Sequence, residues 1–289
     1  MLIVSCSHGK HLGNLIAKRL KERHSALFVD KFPDDEIRIR FNINLKNKSV
    51  ALVQSFYKNI SDCIVEVILA AETAYELGAK KVVLVAPYFP YLRQDKRFHK
   101  GEAVSQRIIS SLIDKYFDAV YVMDPHLHRQ NKLHDIFKIK ATRLTANSLI
   151  ADYVKRYISN PVIIGPDEES YKWAERVANM LGVESRILKK KRYSSYHVEV
   201  KLNKKIDLSN KNAVIVDDIV STGRTILETA KILRKLGAKN ICCICVHGIF
   251  AGNALSKLRK AKVNVVSTNT IPSKVAKIDV CGVISQAFK

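Results

Sequence analysis

The chain has 289 residues, 47% of them apolar, and its 49 Lys and Arg exceed its 27 Asp and Glu by 22. A chain of this length and apolar content buries about three quarters of its unfolded surface, which excludes global disorder. No apolar run reaches the roughly 20 residues of a bilayer-spanning helix, and the positive excess favours an anionic partner without choosing between nucleic acid, membrane surface and phosphorylated metabolite.

Read from the start, Leu2 to Ser5 is a short apolar run with no basic segment before it. It reads as a first strand rather than a signal peptide, and a cytoplasmic protein is expected. Further strands are expected at Ser49 to Gln54, Lys81 to Ala86, Ala119 to Met123, Pro161 to Gly165, Ser185 to Leu188, Ala213 to Val216, Ile241 to Val246 and Val263 to Ser267. Between them lie longer amphipathic stretches, the pattern of parallel strands joined by crossover helices. One such helix, Asp62 to Leu77, lines up Val65, Leu69, Ala70, Thr73 and Leu77 along one side, and another, Thr225 to Leu236, lines up Ile226, Ala230 and Leu233. Both stop at a glycine, and the stop is repeated in sequence: Leu77-Gly78-Ala79-Lys80 and Leu236-Gly237-Ala238-Lys239. The repeat suggests two similar α/β domains, 1–143 and 144–289, with the second opening on a helix that starts at Thr145. Cys242 and Cys245 form a C-x-x-C within a strand-like run. Residues three apart on a strand face opposite ways, so the pair reads as small apolar residues rather than a metal or redox site.

The densest chemistry follows the expected strand at Ala213 to Val216. Asp217 and Asp218 stand at its carboxyl end, where ligands bind in parallel sheets. Ser221, Thr222, Gly223, Arg224 and Thr225 then lead into a helix whose first turn offers unpaired N–H groups to an anion. A phosphate in that turn, with sugar hydroxyls donating to the two carboxylates, makes sense of acids placed beside an anion nest. The plain alternative is an ordinary strand-to-helix turn capped by Ser221 or Thr222.

Val216 to Thr225 resembles the ribose-phosphate-binding signature of the phosphoribosyltransferase-like superfamily. Four further segments make the chain resemble one branch of it, the ribose-phosphate diphosphokinase (PRPP synthetase) family: Lys31 to Glu36, Pro87 to Asp95, Asp124 to His126 and Lys190 to Arg192. The resemblance runs the length of the chain and implies an α/β fold of two duplicated phosphoribosyltransferase-like, Rossmann-like domains, each a mainly parallel sheet flanked by helices. It implies transfer of the diphosphoryl group of MgATP to the C1 hydroxyl of ribose 5-phosphate, with Mg2+ as cofactor. It assigns Phe32, Asp34, Asp35, Glu36, Arg93, Gln94 and Asp95 to ATP, the 32–36 segment reaching a neighbouring subunit's site and so implying a homo-oligomer. Ribose 5-phosphate falls to Arg192, Asp217, Asp218, Ser221, Thr222, Gly223, Arg224 and Thr225. Lys190 and Arg192 are implied as catalytic cations on a mobile loop, and His126 and Asp167 as metal-site residues, although an imidazole is an unusual ligand for magnesium. His128 is set aside as a surface residue.

Without the resemblance several of these segments have plainer readings. Phe32 to Glu36 is a turn between strands, Arg93 to Asp95 a solvated turn, Asp167 a helix-capping acid, and Leu188 to His197 a basic hairpin tip. Ser221, Arg224, Asp35 and Pro125 depart from the commonest family residues, and Arg224 adds a cation beside the expected phosphate. Two rivals remain. A phosphoribosyltransferase leaves the Arg93 segment and a whole second domain unexplained. A nucleic-acid-binding relative would use the charge but is expected to have lost Lys190 and Arg192. Neither nucleic acid nor membrane is expected as a partner.

Overall fold

A computed structural model describes residues 1–127, 132–168, 170–192, 198–202 and 208–288, and the backbone alone at 188–192 and 198–202. Two units result, one formed by residues 1–145 with 280–289 and the other by 146–279.

The first unit runs β1 (Leu2–Ser5), α1 (Lys10–Leu20), β2 (Arg23–Ala26), β3 (Phe28–Lys31), β4 (Ile37–Arg40), β5 (Ser49–Val53), α2 (Ile60–Glu76), β6 (Lys81–Ala86), α3 (Ser105–Tyr116), β7 (Ala119–Met123) and β8 (Lys140–Leu144). Its parallel sheet has the order β2-β1-β5-β6-β7-β8. The central strands are buried on both faces, which is why they read as unbroken apolar runs and not as alternating ones. β3 and β4 stand apart as an antiparallel hairpin in which Val29 faces Ile39 and Lys31 faces Ile37. Sequence periodicity missed β2, β3, β4 and β8 because these edge and hairpin strands mix charge with apolar residues and bury little.

The second unit runs α4 (Asn147–Tyr157), β9 (Pro161–Gly165), α5 (Tyr171–Leu181), β10 (Ser185–Arg192), β11 (Val198–Leu202), β12 (Asn212–Val220), α6 (Arg224–Lys235), β13 (Asn240–Gly248), α7 (Ala254–Lys260), β14 (Asn264–Thr268) and β15 (Ala276–Ile278). The sheet order is β11-β10-β9-β12-β13-β14-β15, parallel except for the β10–β11 pair. Ile226, Ala230 and Leu233 of α6 are buried against Ala213, Ile215, Cys243 and Cys245, as the spacing of α6 requires. All six cysteines are buried free thiols, in keeping with their reading as small apolar residues.

Two sequence expectations fail. The last helix, α8 (Cys281–Gln286), packs on α1, and the Phe288 ring lies 4.5 Å from Tyr121, so the final ten residues belong to the first unit and not to a continuous 144–289 domain. In α2 the buried stripe is Cys63, Val67, Ala70, Ala71 and Ala74, whereas Val65, Leu69 and Leu77 are exposed. This helix is apolar nearly all round, and the small alanines let it approach the sheet more closely than Val65 and Leu69 would.

The repeated tetrapeptide builds the same stop in both units. Ala79 N–H donates to Ala74 O and Gly78 N–H to Tyr75 O; Ala238 N–H donates to Leu233 O and Gly237 N–H to Arg234 O. Both glycines are left-handed, at φ +84° and +85°, as this double-bonded helix end requires. Gly78→Ala and Gly237→Ala are each expected to cost about 1 kcal/mol and to lower the thermal midpoint by about 3 °C, read by calorimetry on each variant.

Candidate active site

β9 and β12 are neighbours in the second sheet, so the segments leaving their carboxyl ends meet. β12 delivers Asp217 and Asp218, 8% and 3% exposed. The segment after β9 delivers Asp167 and Ser170. Ser170 N–H donates to Asp167 Oδ1 at 2.8 Å, and Ser170 Oγ lies 2.8 Å from that oxygen and 2.7 Å from Asp217 Oδ1. A hydroxyl has one proton, so both contacts are hydrogen bonds only when one carboxyl supplies another. Burial first, then the charge of Asp218, pushes the Asp217 carboxyl well above its ordinary range, which favours its protonated form. Asp218 Oδ1 accepts the Ile219 N–H at 2.8 Å. Asp167 thus accepts from the residue that precedes α5 and is tied through Ser170 to Asp217.

The loop after β12 ends on Gly223 at φ +73°, where an added Cβ would also meet Leu258 at 3.3 Å. No side chain caps the first turn of α6, so its leading N–H groups are available to an anion. Ser221 is half-buried, Thr222 exposed and Thr225 half-buried beside them. Arg224 Nε donates to Glu228 Oε1 at 3.0 Å with its side chain 84% exposed, so it is engaged one turn into α6. Lys190 and Arg192 lie on β10, paired with Val200 and Val198 of the antiparallel strand β11. Glu169 and residues 193–197, which flank the Asp167 and Lys190–Arg192 segments, fall outside the described residues, as does His128.

In the first unit, residues 32–36 turn the β3–β4 hairpin. Phe32 N–H donates to Glu36 O, Asp35 N–H to Phe32 O, and Glu36 N–H to Asp34 Oδ1. Asp35 sits at φ +71°, a left-handed conformation that glycine would adopt without strain. The Phe32 ring is 46% exposed with the Arg38 guanidinium 5.3 Å from its centroid, and Lys31 bridges Asp35 and Asp62 of α2. Beyond β6, Tyr88 and Phe89 are buried and anchor the segment that presents exposed Arg93 and half-buried Gln94 and Asp95. Gln94 is fixed by Ser105, which donates to its Oε1, and by Glu102, which accepts from its Nε2. His126 is half-buried just past β7.

Sequence reading missed one polar cluster. At the carboxyl ends of the neighbouring strands β1 and β5, the backbone and hydroxyl of Ser7 donate to the buried Glu66 carboxylate of α2, and Gln54 Nε2 donates to it as well. Cys63 Sγ lies 3.2 Å from Nδ1 of His8, whose ring stacks on Tyr57. Burial raises the Glu66 carboxyl and pushes the Cys63 thiol up to about 12. A signal existed, a lone Glu inside the apolar run of α2.

Comparison with known proteins accords with this geometry. Residues 1–116 match the family model described as the N-terminal domain of ribose phosphate pyrophosphokinase, and residues 132–283 match the phosphoribosyl transferase domain. A ribose-phosphate pyrophosphokinase of Pyrococcus abyssi is 36% identical, covering 97% of this chain and 95% of its own. That of Methanothermobacter thermautotrophicus is 36% identical over the whole of both chains. The crystal structure of phosphoribosylpyrophosphate synthetase from Mycobacterium smegmatis has the same fold, with a TM-score of 0.86 at 23% identity over 99% of this chain and 97% of that one.

The raised Asp217 carboxyl has a consequence for stability. The folded state keeps a proton that the unfolded chain has lost, so stability is full below the unfolded carboxyl's pKa and falls as pH rises through the higher folded value. Asp217→Asn removes this loss. It is expected to raise the thermal midpoint at neutral pH by about 3 °C and to flatten the acid-to-neutral decline in melting scans.

Proposed function

The chain belongs to the ribose-phosphate pyrophosphokinase family and is an enzyme of that type, and we propose how its residues divide the work. The reaction moves the diphosphoryl group of ATP to ribose 5-phosphate, giving 5-phosphoribosyl 1-diphosphate and AMP. The observation that carries the assignment of sites is the buried Asp217 and Asp218 pair leading into the uncapped first turn of α6.

In this reading the N–H groups of residues 223–225 and the hydroxyls of Ser221, Thr222 and Thr225 hold the 5-phosphate, and Asp217 and Asp218 accept hydrogen bonds from the ribose hydroxyls. Arg224 shields Glu228 from the phosphate at the helix entrance, and the exposed arginine adds long-range attraction. The C1 hydroxyl, fixed by this grip, faces the β-phosphorus of ATP in line, which lowers the barrier by positioning. Lys190 and Arg192 balance the charge that accumulates on the transferred group's oxygens. Arg93 and His126 take the nucleotide phosphates, and Gln94 and Asp95 the adenine edge. Phe32, with Asp34, Asp35 and Glu36, completes the nucleotide site of a neighbouring subunit in a homo-oligomer; the exposed aromatic at a hairpin tip supports this.

The donor chemistry around Ser170 fits a hard divalent cation, since Asp167, Asp217 and Asp218 offer carboxylate oxygens. Among the described residues no three metal-binding side chains converge on one point. Asp167 would hold Mg2+ there, with the remaining ligands coming from phosphate and water, and His126 serves the nucleotide instead. The metal supplies charge neutralisation of the diphosphate. No helix among the described residues is long and apolar enough to cross a membrane. We place the enzyme in the cytoplasm, where its substrates occur, with small phosphorylated molecules and not nucleic acid as partners.

Purified protein given MgATP and ribose 5-phosphate is expected to release AMP and 5-phosphoribosyl 1-diphosphate in equal amounts; no AMP at any magnesium concentration contradicts the reading. Lys190→Ala is expected to lower kcat by about 100-fold or more while nucleotide affinity stays within about threefold. Unchanged turnover would remove Lys190 from the mechanism.

A further inference from the structure

Ser170 follows β9 and directly precedes α5, and its backbone is fixed by that helix. Its carbonyl accepts the Trp173 and Ala174 N–H groups, each at 3.1 Å, and the Trp173 side chain is buried. Gly165, the last residue of β9, lies so near the start of α5 that a Cβ there would meet Tyr171 Cα at 2.7 Å. Ser170 itself is 4% exposed. Its hydroxyl is therefore shut away from water and held between Asp167 Oδ1 at 2.8 Å and Asp217 Oδ1 at 2.7 Å. The Ser170 N–H donates to the same Asp167 oxygen, also at 2.8 Å. Among the described residues Asp167 Oδ2 has no hydrogen-bond partner. Asp167 is half-buried, so this second oxygen is the one open to an ion.

Each oxygen of a carboxylate has two lone-pair positions, and the N–H and hydroxyl of Ser170 occupy both of those on Oδ1. Asp167 is thereby reduced to a one-oxygen ligand. That restriction separates divalent cations by size. Mg2+ demands near-octahedral geometry with ligands about 2.1 Å away, and the two oxygens of one carboxylate stand too close together to fill two of its corners. The larger Ca2+ takes a carboxylate through both oxygens and gains from the second. Resting on the assignment of the cation to Asp167, we propose that Ser170 is a positioning residue that restricts Asp167 to one oxygen and so makes the site prefer Mg2+ to Ca2+. Ser170 touches neither substrate nor ion in this role. It acts through Asp167, by withholding the oxygen that would favour the larger ion.

Mn2+ binding tests this without turnover. The free-ion signal is read by electron paramagnetic resonance with ribose 5-phosphate present and no nucleotide, and displacement by Mg2+ or Ca2+ gives the affinity of each. Asp167→Ala is expected to weaken Mn2+ binding about tenfold or more; unchanged binding would overturn the metal assignment and the proposal with it. In Ser170→Ala, Mg2+ affinity is expected to fall about tenfold while Ca2+ affinity holds or rises, shifting the preference toward Ca2+ by about tenfold or more. Ser170→Thr keeps the hydroxyl and is expected to retain the preference of the unmodified protein within about threefold. Where Asp167→Ala does abolish binding, equal weakening of both ions in Ser170→Ala would mark a merely structural serine and overturn the proposal while the metal assignment stands. An unchanged preference in Ser170→Ala, or a shift as large in Ser170→Thr, would overturn it in the same way.

Discussion

Two adjacent carboxylates, Asp217 and Asp218, are buried where β12 ends, with a third, Asp167, one serine away. Water has been withdrawn from charges that repel, and the unliganded site meets that cost by keeping a proton on Asp217 and passing hydrogen bonds through Ser170. The neighbouring strand β13 places a thiol beside Asp217. Cys245 stands opposite Asp217 in register, and burial, then the carboxylate charges, holds its thiol protonated. A sugar offering hydroxyl donors and a divalent cation drawing the third carboxylate would supply what the protein withholds. In the proposed assignment the arrangement stores instability that substrate removes, the usual relation between a preorganised site and its ligand.

The duplicated architecture puts a second polar cluster in the corresponding place of the first unit. β1 and β5 are neighbours as β9 and β12 are, and each pair presents a serine from one strand's exit to a polar side chain from the other's: Ser7 to Gln54, and Ser170 to Asp217. The outcomes differ because α2 sends Glu66 inward to accept from both Ser7 and Gln54. An internal carboxylate satisfies those donors in the first unit. In the second, the α6 entrance carries Gly223 and small hydroxyl residues, and its N–H groups stay uncapped. One scaffold therefore yields one filled polar site and one open one.

What the sequence revealed follows from what periodicity can encode. Fully buried parallel strands such as Val82 to Ala86 announce themselves by composition, and the repeated Leu-Gly-Ala-Lys stop builds identical helix ends in the two units. The α2 face was misread because a helix apolar all round has no single periodic solution; alanines at 70, 71 and 74 decide which side meets the sheet. The return of α8 to the first unit rests on contacts nearly the whole chain apart, which local pattern cannot carry. In the site, the motif at 217–225 was legible because strand, acids, small-residue loop and helix are contiguous. The role of Ser170 was not, since it arises from two segments 47 residues apart. Arg224 likewise meets a partner that local pattern did not single out, the acid four residues on.

The most direct measurement of this account is proton exchange on ligand binding at the Asp217 site. Calorimetric titration of ribose 5-phosphate with Mg2+, repeated in buffers of different ionisation enthalpy, counts the protons. If Asp217 holds a proton in the free site and yields it when a cation and sugar hydroxyls arrive, binding releases protons in the unmodified protein and that release is lost in Asp217→Asn. Binding with no net proton release, or the same release with Asp217 replaced, would contradict it.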